Sequence, residues 1–264
     1  MVAVQFRHRL KLSTAAALMA AAVAVAGCQQ KSASLDGLDP MSTGSTTPAS
    51  YKATADMGRR WQADPGDINK GLAYANGLES IGQTEQQLDV LARLSQAHPD
   101  NAQLSGIYGK KLLGAGRSSE AMPLLERAAS AKTDDWRIQS ALGSAYDQQG
   151  LYEQARAAYQ KALTISPNNP NVMNNLAMSH ALQGNLKEAE KVLTQANSLP
   201  QSRKEPRVRQ NLALVVGLQG RFEEASSIAS KDLPPDEVEA NMAYLKKMLS
   251  QPNTWQQLSD TNES

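Results

Sequence analysis

Apolar positions in this chain recur on two scales. The short scale is a three- and four-residue step, as at Val238, Met242, Leu245 and Leu249, which places one stripe on one face of an α-helix. The long scale is a step of 34. Ala75, Gly109, Gly143 and Ala177 stand 34 apart, and so do Gly82, Gly116, Gly150 and Gly184. The same interval separates Ala121, Ala155 and Ala189; Leu91, Leu125, Tyr159 and Leu193; and Leu94, Ala128, Ala162 and Ala196. In a further copy Ala213, Gly220 and Ala225 come 36 after their counterparts, so two residues are inserted near Pro200 to Arg203. A fixed period of this size signals stacked supersecondary units, none of which buries its apolar face alone.

Each recurring position has a mechanical reading. The small residues Gly143 and Ala155 let two helices of a unit approach. Tyr146 and Tyr159 fill the space beside them. Gly150 supplies a positive φ at a helix C-terminus, and Pro167 stops the second helix. Leu142-Gly143, Tyr146, Gly150, Ala155, Tyr159, Ala162 and Pro167 together resemble the tetratricopeptide repeat. Departures occur where Gln87 replaces the alanine, Thr133 the proline and His180 the tyrosine. The resemblance implies an all-α superhelix, an α-solenoid of about five helix-turn-helix repeats at residues 68–101, 102–135, 136–169, 170–205 and 206–235. A capping helix follows at 236–250. The tail, 251–264, carries Trp255 but little pattern.

The N-terminal end reads differently. Arg7, Arg9 and Lys11 precede an uncharged, mostly apolar run from Leu12 to Ala26, too short for a comfortable membrane span and of signal-peptide length. It ends Val25-Ala26-Gly27-Cys28, with the chain's single cysteine. That tetrad resembles the bacterial lipobox, which implies cleavage before Cys28 and lipidation of its thiol. An ordinary secretory signal cut near Ala26 is the competing reading. Three acyl chains anchor a protein essentially permanently, at about 0.8 kcal/mol per buried methylene. Gln29 follows the cysteine rather than Asp, which by the sorting rule of enteric lipoproteins implies the outer membrane, facing the periplasm. Residues 28–62 read as a flexible linker, rich in Ser, Thr, Gly and Pro between 31 and 50.

Charge and chemistry narrow the function. Without Arg7, Arg9 and Lys11 the chain holds 24 basic against 26 acidic residues, so no basic field for nucleic acid is present. One cysteine forbids an internal disulfide. His98 precedes Pro99 at a repeat boundary, and His180 takes a packed tyrosine slot. Neither stands at metal spacing from a cysteine or carboxylate. Adjacent acids such as Asp134-Asp135 and Glu223-Glu224 read as helix starts or solvated faces. The expectation is no enzyme, no metal, no cofactor and no small-molecule substrate.

Residues 206–222, Asp232-Leu233-Pro234-Pro235, 240–246, Tyr108-Gly109-Lys110-Lys111, Asp135-Trp136 and 174–177, together with the lipobox, resemble the TadD family. These are the tetratricopeptide-repeat lipoproteins of the tight-adherence (Flp, type IVb pilus) assembly system. The resemblance implies a protein-binding scaffold in pilus assembly, pilotin-like toward the secretin pore. An adaptor lipoprotein for cell-wall enzymes is the alternative. In this fold the second, fifth, ninth and twelfth residues of each repeat line a concave groove. Arg137, Ser140, Ser144 and Asp147 fill those places in the third copy. Asn171, Asn174, Met178 and Ala181 fill them in the fourth, and Arg207, Gln210, Leu214 and Gly217 in the fifth. Arg137, Ser144, Asn171, Asn174, Met178, Arg207 and Gln210 are the candidate peptide-binding residues. A merely solvated face is the bland reading. Trp61 and Trp255 flank the repeats as candidate end-cap contacts.

Overall fold

The computed structural model describes residues 48–131 and 134–250, and within them the chain is all α. Twelve α-helices are present among the described residues: α1 Pro48–Gln62, α2 Ile68–Ser80, α3 Thr84–Ala97, α4 Ala102–Gly114, α5 Ser118–Ser130, α6 Trp136–Gln148, α7 Tyr152–Ile165, α8 Pro170–Leu182, α9 Leu186–Ser198, α10 Pro206–Leu218, α11 Phe222–Ala229 and α12 Pro235–Leu249. A short 3₁₀ turn, Pro200–Lys204, precedes α10. The chain divides between Gln149 and Gly150 into two compact units, one holding α1–α6 and the other α7–α12. Cys28, the signal segment, Thr133 and the tail with Trp255 lie outside the described residues.

Local chemistry repeats with the same step as the apolar pattern. Asp67, Asn101, Asp135 and Asn169 are N-caps, each accepting from a backbone N–H two or three residues on. These side chains satisfy donors that the first helical turn leaves unpaired. At the other end, Gly82, Gly116, Gly150, Gly184 and Gly220 all adopt φ between +72° and +85°. The backbone N–H of Gln83, Arg117, Asn185 and Arg221 then reaches back to Leu78, Leu112, His180 and Val216. This is the hydrogen-bonded helix stop that a left-handed residue permits.

In the first unit α1 packs on α2, and each helix from α2 to α5 packs on the next. Its core includes Leu78, Leu91, Leu94, Leu104 and Leu125, each 2% exposed or less. Gly109 shows why small residues recur: a Cβ there would lie 2.8 Å from Leu125 Cγ. In the second unit α7 packs on α8, α8 on α9 and α10, α10 on α9, α11 and α12, and α11 on α12. Ala155, Ala162, Ala189, Leu193, Ala196 and Ala225 are fully buried. The predicted capping helix is α12, with Val238, Met242 and Leu245 buried.

Two sequence expectations change. Residues 48–62 were read as the end of the linker, yet they form α1. Its buried positions are Thr54, Gly58 and Trp61, of which only Trp61 is a large apolar side chain, and Thr54 Oγ1 and Met57 Sδ each lie 3.1 Å from where a Cβ on Gly77 would sit. Trp61 ends α1 buried, 5.8 Å from the Tyr74 ring, and its indole N–H donates to the Pro65 carbonyl. Gln87, standing for the repeat's alanine, is buried and donates to Glu79 Oε2 at 3.2 Å. That carboxylate makes the polar substitution tolerable.

Candidate functional site

The first helices of the second unit, α8 and α10, carry most of the candidate residues. Arg207 Nη2 donates to Asn171 Oδ1 at 2.7 Å, and Asn211 Nδ2 donates to Asn174 Oδ1 at 2.7 Å. The sequence offsets are 36 and 37, so the two helices run parallel and nearly in register. Asn174 Nδ2 in turn donates to Asn175 Oδ1 at 3.4 Å. Gln210 is half-buried beside this strip, and Met178 and Leu214 pack partly against the unit's core. The result is a row of amides and one guanidinium on a helix face whose neighbours are apolar.

The row divides by exposure. Asn174 is 3% exposed and Asn211 7%, so their bond is an internal bolt between repeats rather than an open contact. This revises the reading of Asn174 as a groove residue facing a partner. A buried amide stays where another amide satisfies it. Asn171 and Gln210 are half-buried and Arg207 is exposed, so these three, unlike Asn174, keep part of their surface in solvent. Asn211 was missed. The signal was there: with the two-residue insertion, it occupies the same repeat position as Asn175.

In the first unit Arg137 is exposed, its guanidinium 4.8 Å above the Trp136 ring and 3.5 Å from Asp135. The stacking leaves the planar N–H edges available to a carboxylate. Ser144 is half-buried and its hydroxyl donates to the Ser140 carbonyl one turn back, which ties it to its own helix. Ser140 itself is buried.

The two-residue insertion has its own anchor. Arg209 grips Asp232 with Nε at 2.7 Å from Oδ2 and Nη2 at 2.5 Å from Oδ1, and its Nη1 donates to the Ser202 carbonyl at 3.1 Å. Both side chains of the pair are nearly buried, and the hydrogen bonds to Asp232 raise the Arg209 pKa further. Ser202, fully buried, donates to the Ala196 carbonyl.

The histidines are structural in placement. His98 Nε2 lies 2.7 Å from the Gly66 carbonyl, tying the end of α3 to the loop between α1 and α2. His180 is half-buried, and its Nδ1 is buried without a hydrogen-bond partner. Burial first, then the nearby Arg156 charge, pulls its pKa below the ordinary histidine value, outweighing Glu188 and Glu153. Among the described residues no group of three His, Cys, Asp or Glu is placed to hold a metal, and no helix is long and apolar enough to cross a membrane.

Comparison with known proteins fits this architecture. Residues 143–184 match a family model described as TPR repeat, and residues 112–160 and 170–202 match models described as tetratricopeptide repeat. No curated protein sequence gives a significant match. Among solved structures, the crystal structure of PilW, a widely conserved type IV pilus biogenesis factor, is similar with a TM-score of 0.62 and 20% identity. That similarity covers 76% of this chain and 91% of PilW. MamA (residues 41 to the end) from Desulfovibrio magneticus RS-1 is similar at TM-score 0.54 and 22% identity, over 60% of this chain and 89% of that one. YrrB, a TPR protein with an unusual peptide-binding site, is similar at 0.54 and 17%, over 74% and 100%. At these identities the likeness is one of fold. Because caps, glycine stops and buried alanines recur in step with the matched segments, residues 112–202 carry tetratricopeptide repeats and the fold is that of a tetratricopeptide-repeat stack.

Proposed function

We propose that this chain is an outer-membrane lipoprotein, held at the periplasmic face through Cys28, that grips polypeptide partners during assembly of the Flp tight-adherence pilus. Its partner in this reading is a segment of the secretin, toward which it acts as a pilotin. The observation that carries the binding role is the amide and guanidinium row on α8 and α10. Arg207 and Asn171 present hydrogen-bonding groups at the surface, and the Asn174–Asn211 bond fixes the spacing between their helices. An extended peptide has one backbone donor and one acceptor per residue and few other means of being read without regard to side chain. Arg137 and Arg207 add recognition of carboxylates. The lipobox supports the anchor. The resemblance of residues 206–222 and 232–246 to the TadD family supports the pilus context, and a fold shared with a pilus biogenesis factor agrees with it.

Co-purification of the secretin with the full chain from solubilised membranes tests the reading. Arg137→Glu with Arg207→Glu lowers secretin recovery at least tenfold, equivalent to about 1.4 kcal/mol. Unchanged recovery moves the site off the first-helix face. Cys28→Ala releases the chain from the membrane fraction; if it still sediments with membranes, the anchor is elsewhere.

A further inference from the structure

The last two helices among the described residues leave a cleft between them. It has a volume of about 650 Å³, with Phe222 of α11 and Val238 and Met242 of α12 in its apolar lining. Glu239, Ala243 and Lys246 of α12 line it too, and all three are exposed. Lys246 Nζ lies 5.3 Å from the centre of the Phe222 ring, which holds the ammonium at one end of the cleft. Among the described residues neither Glu239 nor Lys246 has an ion-pair partner. The charges of α12 are segregated along its length: Asp236, Glu237 and Glu239 stand in its first half, Lys246 and Lys247 in its last turn. The helix dipole accounts for acids in the first turn and lysines in the last. It does not account for Glu239, which lies beyond the first turn and lines the cleft. Glu239 and Lys246 are seven residues apart, about two helical turns, so they share one face with the small Ala243 between them.

We propose that a second copy of this chain docks here, with two α12 helices packed antiparallel about a two-fold axis beside Met242 and Ala243. A two-fold contact uses the same patch twice, so the patch must complement itself. This one does. Glu239 and Lys246 each stand ~5 Å along the helix from that axis, on opposite sides of it. Reversing the second helix therefore brings its Lys246 to Glu239 and its Glu239 to Lys246, and Ala243 lets the two backbones approach. Parallel packing would instead set acid against acid and lysine against lysine. Glu223, next to Phe222, also lines the cleft and opposes the incoming Glu239, which lowers the gain at that end. The contact is one helix a side, each ~22 Å long, and buries less than the ~1,200 Å² of lasting complexes. The dimer is therefore weak and reversible. It uses none of the candidate residues on α8 and α10, and it does not depend on which partner they hold.

Sedimentation equilibrium of the purified full-length chain in density-matched detergent, over a concentration series, tests this. The chain associates reversibly to a dimer. Glu239→Lys and Lys246→Glu each place like charges at both ends of the contact and weaken the dimer roughly tenfold or more. Both positions are exposed, so helicity by circular dichroism is unchanged. An equimolar mixture of the two variants associates again. In the mixed pair the introduced lysine of one chain meets the introduced glutamate of the other, and the remaining Lys246 meets the remaining Glu239. A wild-type chain that stays monomeric at every concentration, as it would if another part of the chain covers the cleft, overturns the proposal. So does a dimer that survives both single substitutions, which places the contact elsewhere, or a mixture that stays monomeric.

Discussion

The two units use the same helix-pair skeleton but join their repeats with different chemistry. In the first, neighbouring repeats meet through exposed ions: Lys111 with Glu79, and Arg117 with Glu85. In the second, one such exposed pair, Arg221 with Glu190, is accompanied by bonds drawn inward: Asn211 to Asn174, and Arg209, paired with Asp232 of its own repeat, to the Ser202 carbonyl of the one before. One equivalent slot makes the contrast sharp. In α6 it holds Tyr146, whose hydroxyl donates to Glu126 Oε1 at 2.8 Å. In α8, 34 residues on, it holds His180, with Nδ1 unpartnered. Repeat register fixes where a side chain stands, while burial decides how much the bond it makes is worth. Loss of a partner in water costs little, whereas loss of one inside strands the other.

The largest effect belongs to the buried ion pair. Asp232→Ala leaves the Arg209 guanidinium nearly buried without its carboxylate and lowers the stability of the second unit by about 3 kcal/mol. Arg209→Met with Asp232→Leu, which removes both charges, recovers most of that loss. Urea unfolding with amide exchange read over α10 to α12 separates the two variants. Equal destabilisation would mean that the pair's packing, not its charge, matters.

Next comes the amide bolt. Asn211→Ala leaves Asn174 Oδ1 buried without its donor and costs about 1–2 kcal/mol. It also frees α10 to shift against α8, so it weakens peptide binding although Asn211 is buried. A variant that loses stability but keeps full affinity would show that the bolt does not set the spacing of Asn171 and Arg207.

Much of this architecture is legible in the sequence, because a period of 34 repeats the same steric demand. Ala155, Ala189 and Ala225 must be small, and Gly184 and Gly220 must reach positive φ, whatever surrounds them. Helix α1 escaped because two of its three buried positions, Thr54 and Gly58, are a polar residue and a glycine just after a Ser-, Thr- and Pro-rich stretch, and only Trp61 is a large apolar side chain. The distinction between Asn171 and Asn174 escaped because both are asparagines on one helix face, and only the position of Asn211 decides which of them is enclosed. Cys28 lies outside the described residues and rests on its sequence alone.

The slot shared by Tyr146 and His180 gives a pH test of the same contrast. Burial first, then Glu126, push the Tyr146 pKa up to about 12, so it keeps its proton throughout the neutral range. His180 is the reverse: its folded pKa is depressed, so the unfolded chain binds a proton more readily. Its contribution is therefore complete above the ordinary histidine value near 6.5, and it declines as pH falls from there toward the folded pKa. Amide exchange in α8 and α9 accelerates over that window, and His180→Tyr flattens the response. An unchanged pH profile in His180→Tyr would assign the slope to other groups.

The smallest effects lie at the exposed pair of the first unit, where the two partners are not equivalent. Lys111→Ala removes an ion pair whose partners are 32% and 50% exposed, and it costs a few tenths of a kcal/mol, on the order of other surface pairs. Even that fades as salt screens it. Glu79→Ala costs more, about 1 kcal/mol, because Glu79 also accepts from the buried Gln87 amide, which then loses this acceptor. Glu79→Ala with Gln87→Ala restores the small apolar residue of the other repeats and recovers the difference. The two single variants measured at low and high salt separate the terms: the Lys111 loss is salt-dependent, and the Glu79 excess over it is not. If both losses vanished together in salt, the bond to Gln87 would contribute nothing.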